Sequence, residues 1–159
     1  ITMHASKTML FSDAALPLLY ALAMLSDAAA ALICGLLYDK KGIKILTHAA
    51  AVSAFFAYFI FSIGGQEGII FGILLWGVGM GAMESVFKAA VSNMIPKKSR
   101  ATGYGMFEMS FGLFWFLGSW LMGYLYQTNM TYMIYASVSA GLLSAILFWQ
   151  SGRLQSEEK

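Results

Sequence analysis

The chain has 159 residues, of which 59% are hydrophobic, 15% aromatic and 11% charged, with a mean hydropathy of +0.69. So little polar material cannot cover a water-soluble globule of this length, which leaves an integral membrane protein with the lipid bilayer as its first partner. The formal net charge of +2 comes from residues in short segments between apolar runs. There is no basic stripe, and no nucleic-acid partner is expected.

Residues 1–13 begin with Ile and lack the basic segment, short apolar core and small-residue cleavage site of a leader. They are expected to form an extracytoplasmic segment, and the chain to be a fragment of a longer protein. Five apolar runs follow, at 14–37, 45–63, 69–95, 102–126 and 132–149, each near the roughly 20 residues that cross a bilayer core about 30 Å thick. The third must tilt or project beyond the hydrocarbon, and the last is short unless it lies upright. The joints carry turn chemistry: Asp39 to Gly42, Gly64-Gly65-Gln66-Glu67-Gly68, Pro96 to Arg100, and Gln127-Thr128-Asn129. Short joints make each helix antiparallel to the next. The pattern predicts an all-α polytopic helix bundle with five transmembrane helices over 14–151 and a tail over 152–159.

Lys40, Lys41, Lys44, Lys97, Lys98, Arg100, Arg153 and Lys159 fall on one side of this zigzag, and only Lys7 on the other. The excess marks the cytoplasmic side, so the carboxyl tail with Glu157 and Glu158 is expected inside. An odd number of spans starting outside predicts at least one more helix upstream. Small residues at Ser26 to Ala31, at Gly77, Gly79 and Gly81, at Gly112, Gly118 and Gly123, and at Ala136, Ala140 and Ser144 are expected to serve helix contacts.

Four ionisable residues lie inside the runs. Asp27 stands 12 residues before Asp39, about 18 Å from the cytoplasmic end, and Glu84 is 12 residues before Pro96. A charge at a helix centre costs roughly 2.5–3.5 kcal/mol on insertion scales, so these side chains should face the bundle or a wet cavity. Lys88 follows Glu84 by four positions, which suits an intrahelical pair; the other reading makes Asp27, Glu84 and Lys88 a substrate or proton pathway. Glu108, eight residues beyond Arg100, is placed to join Lys97, Lys98 and Arg100 in a structural charge network. His48 is expected at the interface.

Gly35, Asp39, Lys40, Gly42 and Lys44 fit a loop signature of Gly, three residues, Asp, a basic residue, one residue, Gly and two basic residues, with Ile43 departing from it. A second pattern is the helix end, Pro96, the basic turn Lys97-Lys98-Ser99-Arg100 and the glycine-rich start at Gly103 and Gly105, followed by Gly118 and Gly123. On these residues the chain resembles the major facilitator superfamily over essentially its whole length. The third run begins Phe71-Gly-Ile-Leu-Leu-Trp76 without the Arg usual in the fourth helix of the amino half, so the resemblance is to the last five helices of a six-helix carboxyl-terminal half.

The resemblance implies a secondary active transporter that moves a small-molecule substrate by alternating access and couples to an ion or proton, with a missing N-terminal half as its partner. It also implies a cytoplasmic gate loop at Gly35, Asp39, Lys40, Gly42 and Lys44. The basic residues of that loop serve equally to fix orientation. A bacterial or archaeal cytoplasmic membrane is the expected location. The alternative is a non-transporting scaffold, sensor or complex subunit. No cofactor is expected, and an enzyme is disfavoured: the chain lacks His-Glu-x-x-His, Gly-x-Ser-x-Gly and a phosphate loop, and its single cysteine, Cys34, permits neither an internal disulfide nor a Cys/His metal cluster.

Overall fold

The computed structural model describes residues 10–157, which form helices and turns with no strand among them. Residues 1–9 of the expected extracytoplasmic segment, with Lys7, and residues 158–159 of the tail lie outside the described residues. A 3-10 turn, Asp13–Ala15, leads into α1 (Leu16–Lys41). Pro17 sits in its first turn, where a missing N–H costs nothing because those amides have no intrahelical acceptor. α1 stops at Gly42, whose φ of 62° and ψ of −153° belong to a region essentially restricted to glycine; its N–H donates to the Tyr38 carbonyl at 2.8 Å. Backbone geometry thus accounts for the second glycine of the loop signature.

The next segment, α2 (Lys44–Ile63), is α-helical over Lys44–Ser53 and Phe56–Tyr58 and π-helical over Phe59–Ile63. Gly64 and Gly65, at φ 66° and 69°, turn the chain into α3 (Gly65–Met94). Ile95 is extended, as a residue before proline must be, and Pro96 ends the helix. A turn at Lys97–Ser99 starts α4 (Arg100–Thr128), and Asn129 then caps α5 (Met130–Glu157). Its Oδ1 accepts from the Thr131 and Tyr132 amides at 3.0 and 3.3 Å.

Among the described residues, four segments are long and apolar enough to cross a membrane: α1, α2, α3 and the Met130–Arg153 part of α5. With 29 residues, α4 has the length, but its glycines, serines, tyrosines, tryptophans and Glu108 dilute its hydropathy below that of the others. It nevertheless runs back along α3. Near its start the Tyr104 hydroxyl donates to the Lys88 carbonyl at 2.8 Å, and the Phe107 ring meets Phe87 at 5.6 Å. Near its end Tyr126 meets Phe61 of α2 at 6.0 Å. The chain is therefore an all-α polytopic membrane protein, in which α4 reaches from the end of α3 back to the Phe61 end of α2.

Glycine decides how the helices meet. In lipid no hydrophobic drive separates helix from tail, so association rests on close backbone approach and interhelical hydrogen bonds. α3 lies at the centre and presents two glycine faces. Gly77 and Gly81 meet α1: a Cβ on Gly77 would stand 2.8 Å from the Ala23 carbonyl oxygen, and one on Gly81 would collide with the Asp27 carbonyl and lie 2.7 Å from the Ala31 nitrogen. Gly68, Gly72 and Gly79 meet α2, where a Cβ would come within 2.7 Å of the Phe59 carbonyl oxygen, 2.9 Å of the Phe56 carbonyl oxygen and 2.7 Å of Ser53, respectively. On its other side α2 receives α5, with Gly141 against Ala54 and Gly152 against the stem of Lys44.

The core falls into two clusters. Leu19, Ala23, Ile60, Ile69 and Ile73 fill one half of the bundle, and Cys34, Ile45, Leu46, Ala49, Ala82 and Val86 fill the half nearer the basic loops. α4 contributes no buried residue to either. The expected contacts at Gly112, Gly118 and Gly123 are not made within the described residues, since a Cβ at any of them meets nothing within 4 Å.

Candidate functional site

The α1–α3 crossing holds the first candidate group. Ser26 Oγ donates across it to the Leu74 carbonyl at 2.9 Å, a bond that fixes the register of the two helices. One residue later, Asp27 lies midway along α1 with its carboxylate against Gly81, where a Cβ would come 2.9 Å from Oδ1. That Oδ1 is buried and makes no hydrogen bond to the described protein. A buried polar atom without a partner is uncommon and costly, which makes this carboxylate available for another partner. Glycine at 81 leaves room for the α1 backbone at Asp27 and Ala31, with the carboxylate beside it.

Glu84 lies on α3, the helix that carries Gly81 against Asp27. It follows Gly81 by three residues, about 4.5 Å nearer the basic end. Both Glu84 and Lys88 are exposed on α3, and no ion pair joins them. Glu108, two turns into α4, is also exposed, and no ion pair links it to Lys97, Lys98 or Arg100. Arg100 instead donates through Nε to the Ile95 carbonyl at 3.4 Å, tying the turn to the end of α3. Along the α1–α3 crossing Asp27 and Glu84 thus lie about one turn apart, and among the described residues neither Lys88 nor the basic turn forms an ion pair with Glu84 or Glu108.

The loop after α1 forms the second candidate region. Tyr38, Asp39, Lys40, Lys41, Gly42 and Lys44 line a cleft of about 520 Å³ together with Asn93 and Met94 at the end of α3 and Gly152 of α5. Asn93 Nδ2 donates to the Tyr38 hydroxyl at 3.4 Å. Gly35, a full two turns before Gly42, lies outside this cleft and packs between helices. A Cβ there would stand 2.8 Å from Ser85 Oγ, so it continues the close approach of α1 and α3. Sequence reasoning missed Tyr38, Asn93 and Gly152 because each comes from a different helix end. Only the polar Asn93 in an otherwise apolar stretch gave any sign.

A second cavity, about 750 Å³, opens between α4 and the rest of the bundle. Tyr20, Phe61, Trp76, Trp115 and Tyr126 are among its walls, and Ser119, Gln127 and Ser137 supply the polar groups. Trp76 and Trp115 thus face a cavity. Trp120 is exposed and stacks on Tyr124 at 6.3 Å, and Trp149 lies under the Arg153 guanidinium at 5.0 Å. His48 is exposed one turn into α2, with Nδ1 3.1 Å from the Lys44 carbonyl oxygen. Among the described residues no three His, Cys, Asp or Glu side chains gather as a metal-ion cluster.

The family model described as Major Facilitator Superfamily matches residues 1–158. The chain belongs to that superfamily. The curated relatives it matches are uncharacterized proteins: Mb2288 of Mycobacterium bovis and Rv2265 and MT2327 of Mycobacterium tuberculosis, each 27% identical over 149 residues. The match covers 94% of this chain and 36% of each relative, so the chain spans about a third of their length. No solved structure matches it. Within the superfamily, the loop Gly35 to Lys44 and the turn Pro96 to Arg100 have concrete geometry: a glycine-only backbone at 42 and an extended residue forced by proline at 95.

Proposed function

We propose that this chain is the carboxyl-terminal part of a secondary active transporter, moves a small solute by alternating access together with an amino-terminal half, and couples that movement to a proton or cation through Asp27. The buried, unpartnered Oδ1 of Asp27 at the glycine crossing of α1 and α3 carries this reading. Intramembrane carboxylates are expensive to keep and mark pathways more often than packing sites. Asp27 sits between two helices whose backbones touch, so a change in its charge acts directly on the contact that holds them. Glu84, one turn nearer the basic end, extends the route toward that side.

The basic loops gather at one end of the bundle, and by the positive-inside bias that end faces the cytoplasm, with the carboxyl tail inside. There the loop from Asp39 to Lys44 abuts the ends of α3 and α5, so small rigid-body movements of one helix end can bring its charged groups into or out of reach of a neighbouring helix end. This is the place for a cytoplasmic gate.

The test uses the complete protein in sealed vesicles. Solute-driven proton movement is followed across a panel of small solutes and against pH for wild type, Asp27→Asn and Glu84→Gln. Loss of proton movement in Asp27→Asn, with solute exchange retained, is the expected result. An unchanged pH dependence in both variants overturns the assignment.

A further inference from the structure

α4 meets the bundle near its two ends, through Tyr104 and Phe107 against α3 and Tyr126 against α2, and contributes no buried residue between them. What separates it from the other helices is the cavity of about 750 Å³. The walls all lie in the half of the bundle away from the basic loops: the first halves of α1, α3 and α5, the last part of α2, and Phe114 to Gln127 of α4. At 1.5 Å per residue the α4 wall runs for about 20 Å, a length that suits a helix rather than a compact solute. No wall residue is charged. Ser119 and Ser137 nevertheless have hydroxyls with no hydrogen bond among the described residues, a need that a lipid tail cannot meet and a polar side chain on another helix can.

Two observations point to the occupant. The chain comes in at the same end of the bundle: Leu10 and Phe11 pack against the cluster of Leu19, Ile60 and Ile73, of which Leu19 and Ile73 also wall the cavity, and Gln66 Nε2 donates to the Leu10 carbonyl at 2.6 Å. The match to the mycobacterial relatives covers 36% of each, so most of their length has no counterpart here. We infer that a transmembrane helix from the polypeptide preceding residue 1 in the complete protein packs into this cavity, against the face of α4 that carries Gly118 and Gly123. The inference rests on the reading that an amino-terminal part precedes this chain. A Cβ at either glycine meets nothing within 4 Å among the described residues, which leaves that face free for the close backbone approach that membrane helices need. The walls also set the chemistry of the incoming helix. It is apolar and uncharged where it faces them, and it carries a hydroxyl or amide to reach Ser119 and Ser137.

The experiment is site-specific photo-cross-linking in the complete protein, in its membrane, read by gel mobility and peptide mass spectrometry. Phe114→p-benzoylphenylalanine places the probe on the cavity wall with little change of shape, and Met122→p-benzoylphenylalanine is the second position if the first variant does not fold. Both should give a cross-link within one polypeptide, to a peptide that precedes residue 1. Trp120→p-benzoylphenylalanine, at an exposed position of α4 outside the cavity, should lose that cross-link. A cross-link to a second copy, to lipid, or to helices of this chain alone overturns the inference, as does an equal yield from position 120. Adding Asp27→Asn should leave the cross-link unchanged, so the packing is decided apart from proton coupling. A preceding chain that is present but leaves no cross-link overturns this inference only, whereas an intact mass with no preceding chain overturns the amino-terminal part of the proposed function as well.

Discussion

The α1–α3 crossing and α4 are built from the same residue types and behave in opposite ways. On α3, Gly77 and Gly81 are buried, and each would drive a Cβ into backbone of α1. On α4, Gly105, Gly112, Gly118 and Gly123 would meet nothing within 4 Å, and Met109 and Phe114 are each 72% exposed. Glycine in a membrane helix is therefore not a contact by itself; it becomes one where a small partner faces it. Ala23, Ser26, Asp27 and Ala31 are that partner for α3. Nothing among the described residues plays the part for α4, whose rings instead stack along their own helix, as with Phe107 and Phe111 at 6.0 Å.

Substitutions on the two helices probe this contrast directly. The largest effect is expected at Gly81→Leu, which forces a side chain into the Asp27 and Ala31 backbone; it should cost about 3 kcal/mol or more and remove the monodisperse protein in size-exclusion profiles. Gly42→Ala places a Cβ in a glycine-only conformation and should cost about 2 kcal/mol in a denaturant titration, without any steric clash. Ser26→Ala deletes the hydrogen bond to Leu74 and should cost about 1 kcal/mol, the usual scale for such a bond between membrane helices. The smallest effect is expected at Gly112→Ala, within about 0.5 kcal/mol of wild type by the same titration, because alanine gains helix propensity and meets no obstacle. A loss at Gly112 as large as that at Gly81 would erase the distinction between the two regions.

Much of this architecture was legible in the sequence, because lipid imposes length and the joints impose chemistry. Gly42, Pro96 and Asn129 end or start helices through a positive φ, a forced extended neighbour and a side-chain cap, respectively, and all three act locally. The helices run past the apolar runs for the same reason: α1 extends to Lys41 and α4 starts at Arg100, where turn chemistry rather than hydrophobicity sets the boundary. Which faces meet was not legible. A helix that is apolar all round has no periodicity to separate the side facing lipid from the side facing protein. Gly77 and Gly112 therefore read alike in sequence although only Gly77 is in contact. The π-helical stretch Phe59–Ile63 was equally hidden, since it contains neither glycine nor proline.

The candidate site divides along the same line. That Asp27 lies at mid-helix follows from counting residues; that it lies against Gly81, with one oxygen buried and unpartnered, depends on the rotation of two helices about their axes. The pairing of Glu84 with Lys88 shows the converse. Their spacing of four is favourable within a helix, yet both are exposed with no ion pair between them, because exposed side chains of that length gain little from being held together. Tyr38 and Asn93 meet only because α1 and α3 are parallel and in a register that Ser26 and Gly77 set at the middle of the crossing.

Coupling through Asp27 requires its carboxylate to take up and release a proton inside the membrane. Infrared difference spectra of the complete protein between alkaline and acidic pH observe that event without knowledge of the solute. A carboxylic-acid carbonyl band should appear on acidification in wild type and be missing from Asp27→Asn. An identical set of carboxyl bands in the two proteins would mean that Asp27 does not titrate, and proton coupling through it would be excluded.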